Sequence, residues 1–176
     1  MSFVVDHSVS SLWLLPHSQP SGIAYAESVL EQLALGSAWV PASWTLDTAN
    51  LVARAESDGV VSAARARAFV ELLGRLDIQI DEGTALHGLG RTLELARRYR
   101  ISAHNAAYLE LAMREQLALA TLNGALGDAA TAAGVVLFRR EEAPCGAAAG
   151  RESRVGGRRG DAAGGLLAAG QLGPAS

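Results

Sequence analysis

Four short polar side chains stand where an apolar run ends or a helical one begins. Asp6 closes SFVVD (2–6), and Asp47 lies near the start of WTLDTANLVARAE. Asn105 sits in ISAHNAAYLELA (101–112), three residues after Ser102, and Asn123 follows LALATL (117–122). Four carboxylates so placed would hold one or two Mg²⁺ or Mn²⁺ ions, because hard cations take oxygen ligands and keep waters for substrate phosphates. Two of the four here are amides. Asn keeps nearly the shape of Asp and one carbonyl oxygen, but it carries no charge and turns an NH₂ donor outward on its other side.

Each position also has a purely local reading. Asp6 can cap the helix that HSVSSLWLL would form, and Asp47 can gain from the dipole of a helix whose core face is read from Leu46, Ala49, Leu51 and Val52. Ser102 is the natural cap of the 103–116 helix, which places Asn105 at its third position, close to a capping box but lacking the Glu or Gln that reaches back. Asn123-Gly124 resembles a hairpin turn. The Ala-rich GALGDAATAA behind it has helical spacing, so Asn123 reads better as a strand end and cap of the next helix.

The elements that must position these residues alternate. Short apolar runs at 2–6, 37–41, 77–80, 117–122 and 134–138 are separated by periodic stretches at 20–35, 43–57, 62–75, 84–99 and 103–116. Such alternation predicts an α/β fold, a three-layer α/β/α sandwich around a mostly parallel sheet of about five strands. Ligands of such sheets bind beyond the carboxyl ends of the strands, where the four polar residues fall.

Composition limits the alternatives. A chain of 176 residues, 49% hydrophobic, can bury a core of one domain. No apolar run approaches the roughly 20 residues of a membrane span, and no signal segment opens the chain. With a single cysteine, Cys145, no internal disulfide forms, and a soluble cytoplasmic protein is expected. Residues 1–138 hold nine Arg against fourteen Asp and Glu, so a broad basic face for nucleic acid is excluded and any RNA contact is local. From Arg139 to Ser176 Gly and Ala dominate, with Arg-Gly clusters such as GGRRG; this segment reads as a disordered tail behind a domain spanning 1–138.

VVDHSVSSLWLLP, VPASWTLDTANLVARAESDGVVS, ISAHNAAYLELAMREQLALATLNGAL and AAGVVLF, taken in order from residue 3 to about 138, resemble a bacterial PIN domain of the VapC toxin type. The resemblance implies an endoribonuclease whose acidic residues bind Mg²⁺ or Mn²⁺, with a homodimeric state and a cognate antitoxin as partner. Position by position, it places the family's four acids at Asp6, Asp47, Asn105 and Asn123 as metal ligands and catalytic groups. Asp47 replaces a longer Glu, and both Asn replace Asp. The charge of the cluster falls from four to two, which weakens metal binding and makes a two-ion arrangement hard to sustain. Groups that act as a unit lose several orders of magnitude in rate when one is removed.

Three functions follow: a residually active nuclease, a catalytically inactive PIN domain that binds RNA or sequesters an antitoxin, and an α/β domain whose Asp and Asn only cap helices. Other residues carry less. His7, His17, His87 and His104 show no metal spacing, and Trp13, Trp39 and Trp44 read as core or interface. Arg97, Arg98 and Arg100 form the one basic cluster of the domain, as a helix end or as a local phosphate grip. Asn123-Gly124 is also a step at which the backbone nitrogen can attack the amide, giving Asp or isoAsp.

Overall fold

SFVV becomes β1 (Ser2–Val5), in which Phe3, Val4 and Val5 have no exposed surface. Burial of consecutive residues on both faces marks a central strand of a covered parallel sheet. In the computed structural model, which describes residues Ser2–Arg139, β1 lies between β2 (Ser37–Pro41) and β4 (Ala118–Ala120), with β3 (Ile78–Asp81) outside β2. All pairings are parallel, and Val4 stands opposite Trp39 on one side and Leu119 on the other. The expected tail, Cys145 included, lies beyond the described residues from 140 onward.

The α/β/α sandwich agrees with the sequence reading, but the sheet has four strands and not about five. The run 134–138 makes a single parallel bridge, Leu137 to Leu119, with Phe138 N–H donating to the Leu119 carbonyl at 2.8 Å. It is held there chiefly by side chains: the Phe138 ring lies 4.8 Å from that of Phe3, and the Tyr25 hydroxyl donates to the Phe138 carbonyl. The chain reaches this bridge through Gly134, whose φ of 78° closes the preceding helix as only glycine does without strain.

Helices α1 (His7–Leu14), α2 (Ile23–Leu33), α3 (Ser43–Ser57) and α4 (Ala63–Leu73) are linked through α1, which packs against the other three. Between α1, α3 and α4 a small cluster of Leu14, Ala55, Val61, Ala66 and Phe69 forms its own apolar centre. Two residues expected on the core face of α3 are exposed, Leu46 at 75% and Ala49. The inward stripe is Trp44, Thr48 and Ala55, flanked by Leu51 and Val52, so the true phase is set one residue away from that read in the sequence. Pro16 and Pro20 start short 3₁₀ turns, which delays α2 to Ile23.

The stretch 84–99 is not one helix. It divides into α5 (Thr84–His87), a π-helical turn over Gly88–Thr92, and α6 (Leu93–Tyr99). After it, α7 (Ala103–Glu115) packs on β1, β2 and β4, and α8 (Gly124–Ala132) follows β4. Ser102 caps α7, its hydroxyl accepting from Asn105 N–H at 3.1 Å. Ser102→Ala should lower unfolding free energy by about 1 kcal/mol at unchanged denaturant dependence. An unaltered midpoint in urea would show that packing alone sets this helix start.

Candidate functional site

Asp6 follows the last residue of β1 and precedes α1, yet it is not a cap. Its side chain makes no hydrogen bond to the helix N-terminus. Instead the Ser8 and Thr121 hydroxyls both donate to Oδ2, at 2.5 and 2.7 Å, while Asp6 N–H donates to the Ala120 carbonyl at 2.9 Å. The carboxylate is 3% exposed, and no ion pair reaches it among the described residues. A buried charge without a counter-charge is costly, and the two hydroxyls offset part of that cost.

Asp47 is the fifth residue of α3 and so lies beyond the first turn, where the helix dipole would have favoured it. Its partner is tertiary. His104 Nδ1 on α7 lies 3.1 Å from Asp47 Oδ2, across 57 residues of sequence. A cleft of about 310 Å³ opens here, lined by His7, Asp47, Asn50, Arg54 and Asp58 among others.

His7 and Tyr108 join the two acids. The His7 pKa is lowered, first by burial and then by the neighbouring His104, while the charges of Asp47 and Asp6 oppose the shift. Its Nδ1 is buried without a partner. The Tyr108 hydroxyl, also buried and unpartnered, is pushed well above the usual phenol range by burial and by the charges of Asp6 and Asp47. Asn105 lies one turn before Tyr108 on α7, so helical spacing puts it on the face that meets Asp6 and Asp47.

An imidazole held below its ordinary 6.5 binds fewer protons folded than unfolded. Stability is then fully present above the unfolded value and is lost as pH falls below it toward the folded value. His7→Gln removes this component. Urea midpoints of metal-free protein should therefore fall less between neutral and acid pH in the variant than in the wild type; equal slopes would remove His7 from the acid response.

Asn123 is the cap that local reading predicts. Its Oδ1 accepts from Leu126 N–H at 3.1 Å and its own N–H donates to Thr121 Oγ1 at 3.0 Å, two hydrogen bonds from Asp6. Of the four positions, the cleft is lined by Asp47, beside His7, the neighbour of Asp6; Asn105 is placed toward it only by helical spacing, and Asn123 turns its carbonyl into α8. Among the described residues, no three His, Cys, Asp or Glu side chains converge closely enough to hold a metal ion. The oxygens of the four positions are of the kind that hard cations take.

Sequence reading missed Ser8 and Thr121, although a hydroxyl two residues from each strand-end polar group was a visible signal. It also missed Asp81, which ends β3 as Asp6 follows β1. Asp81 and Glu110 of α7 are both buried, and Arg114 joins them, Nη2 at 2.8 Å from Asp81 Oδ2 and Nε at 3.2 Å from Glu110 Oε1. Burial disfavours the Arg114 charge, but its contacts with Asp81 and Glu110 outweigh that and raise its pKa. One guanidinium thus bridges the two acids and offsets one of their two charges. Arg97, Arg98 and Arg100 are exposed at the end of α6, with Arg98 over the Tyr99 ring.

No family model and no curated protein matches the chain. Among solved structures it is similar to the crystal structure of PAE2754 from Pyrobaculum aerophilum, at 17% identity over 73% of this chain and 87% of that one, with a TM-score of 0.53. That likeness shows the fold alone. No helix of the described residues is long and apolar enough to cross a membrane.

Proposed function

We propose that the chain is a VapC-like PIN-domain protein whose Mg²⁺- or Mn²⁺-dependent endoribonuclease activity is weakened by Asn at positions 105 and 123. The observation that carries this reading is Asp6: a buried carboxylate beyond the carboxyl end of a central strand, oriented by Ser8 and Thr121 and left without a cationic side chain among the described residues. Structural acids of this fold are treated differently, as Asp81 with its Arg114 illustrates.

In this reading Asp6, Asp47 and the Asn105 carbonyl would hold a single cation, whose chemistry there would be to lower the pKa of a water and to offset charge on the scissile phosphate. Ser8 and Thr121 fix the Asp6 carboxylate, His104 fixes Asp47, and Asn123 holds the start of α8 in place. Arg97, Arg98 and Arg100 offer RNA a local phosphate grip, in keeping with an acidic remainder of the domain. The resemblance adds a homodimer, a cognate antitoxin and the cytoplasm.

The absence of a three-acid cluster among the described residues favours a second reading, an inactive PIN domain acting by RNA binding or antitoxin sequestration. Cleavage of RNA in Mn²⁺ by wild type and Asp6→Asn separates the two. Slow, chelator-sensitive cutting that vanishes in Asp6→Asn is expected. Wild type that binds RNA without cutting it supports the second reading, and cutting that persists in Asp6→Asn removes the site assignment.

A further inference from the structure

Of the three asparagines in the chain, Asn50 precedes Leu51, Asn105 precedes Ala106, and Asn123 alone precedes glycine. Its surroundings are arranged for more than capping. The Leu126 N–H at 3.1 Å draws electron density from the Asn123 side-chain carbonyl and leaves Cγ electrophilic. Gly124 is the first residue of α8, so its N–H is one of those that a helix leaves without an intrahelical acceptor. Gly124 is exposed, and a Cβ built there would meet nothing within 4 Å. Neither a side chain nor packing shields the nitrogen.

We propose that Asn123-Gly124 is a self-modification site, at which the side-chain amide converts to a carboxylate and adds a third negative charge on the residue whose backbone N–H reaches Asp6 through Thr121. The Gly124 nitrogen gives its proton to water and attacks Cγ. As the N–Cγ bond forms, the Cγ–Nδ2 bond breaks and ammonia leaves with a proton, giving a succinimide. Water then opens the ring. Breaking N–Cγ yields an ordinary aspartate at position 123, whereas breaking the bond to the main-chain carbonyl yields isoaspartate; no oxidant or metal is needed.

Ring closure requires Asn123 to leave its ψ of 111°, so it passes through opening of the first turn of α8, an element end and therefore among the first parts to fray. Ring opening fixes the proportion of the two products, and they fit the refolded turn differently. The ordinary aspartate caps as well as Asn and gains from the helix dipole. Isoaspartate lengthens the main chain at the residue whose carbonyl accepts from Gly127 N–H at 2.9 Å, and that bond is displaced. The chemistry stands independently of the proposed function; only its consequence for the cleft rests on that reading.

The test ages the full chain at mildly alkaline pH and follows intact mass, released ammonia and the peptide map. Conversion should concentrate at Asn123 and be lost in Gly124→Ala, whose added methyl enters open space. Unchanged wild-type mass, or equal conversion in Gly124→Ala, overturns the proposal. Mn²⁺ titration calorimetry of fresh and aged chain then reads the consequence, with a gain of at least about tenfold expected for the aged form. Conversion at Asn123 without that gain upholds the modification site and counts against any influence of position 123 on the proposed metal site.

Discussion

Asn105→Asp/Asn123→Asp should bind Mn²⁺ at least about a hundredfold more tightly than wild type and cut RNA faster by orders of magnitude. The magnitude comes from charge. At roughly 5 Å from a divalent ion and an effective dielectric of about 20, one added carboxylate contributes on the order of 7 kcal/mol, and salt and solvent screening removes about half. The net of about 3 kcal/mol is on the order of a hundredfold in affinity.

Local structure tolerates both changes, so charge is what the variant varies. Position 105 is in the first turn of α7, where a carboxylate is favoured, and position 123 is an N-cap, where Asp and Asn serve equally. Four carboxylates around an empty centre repel, however. The variant should be less stable than wild type in chelator and more stable than it in excess Mn²⁺, a crossover that thermal unfolding reads directly. A variant that gains neither affinity nor cleavage would show that the four positions do not form one centre.

Arg114→Ala is expected to destabilise the fold by about 3 kcal/mol, because it leaves two buried carboxylates without a cation. Asp81 and Glu110 are 5% and 4% exposed, whereas the Arg114 side chain is 27% exposed, which places the figure at the lower end for a broken buried pair. The same substitution in an Asp81→Asn/Glu110→Gln background should cost far less, since the amides need no counter-charge. Denaturant unfolding of the four proteins closes this cycle. A loss below about 1 kcal/mol in the single variant would class the contact with ordinary surface pairs.

Much of the fold was legible because it follows from local pattern: the alternation of strand and helix, the parallel sheet, and the Ser102 and Asn123 caps all rest on short-range chemistry. The errors came where tertiary contact decides. A single helix over 84–99 fits the periodicity, but Gly88 and Gly90 hold an α-helix weakly and the chain widens into a π turn there. The last run has the right composition, yet it meets the sheet only at Leu119, in a single bridge. For the site, sequence could place Asp6 at a strand end but could not tell a cap from a carboxylate turned toward Thr121, 115 residues away. The Asp47–His104 contact leaves no local trace either. Glu110 and Arg114 were visible as a helical pair, while the buried Asp81 that completes their network was not.

The separation between Asp6 and Thr121 has a consequence for how the protein is made. β1 and its partner β4 are separated by more than 110 residues of chain, so the central strand waits with one edge open until β4 has been made. Pairings of such long sequence separation form late and slowly. The hydroxyl of Thr121 that orients Asp6 arrives just after β4, so a nascent chain that stops short of residue 121 lacks that hydrogen bond. A ribosome-bound fragment would therefore carry β1, β2 and β3 with the Asp6 carboxylate held by Ser8 alone, and its second hydroxyl would arrive only as the sheet closes.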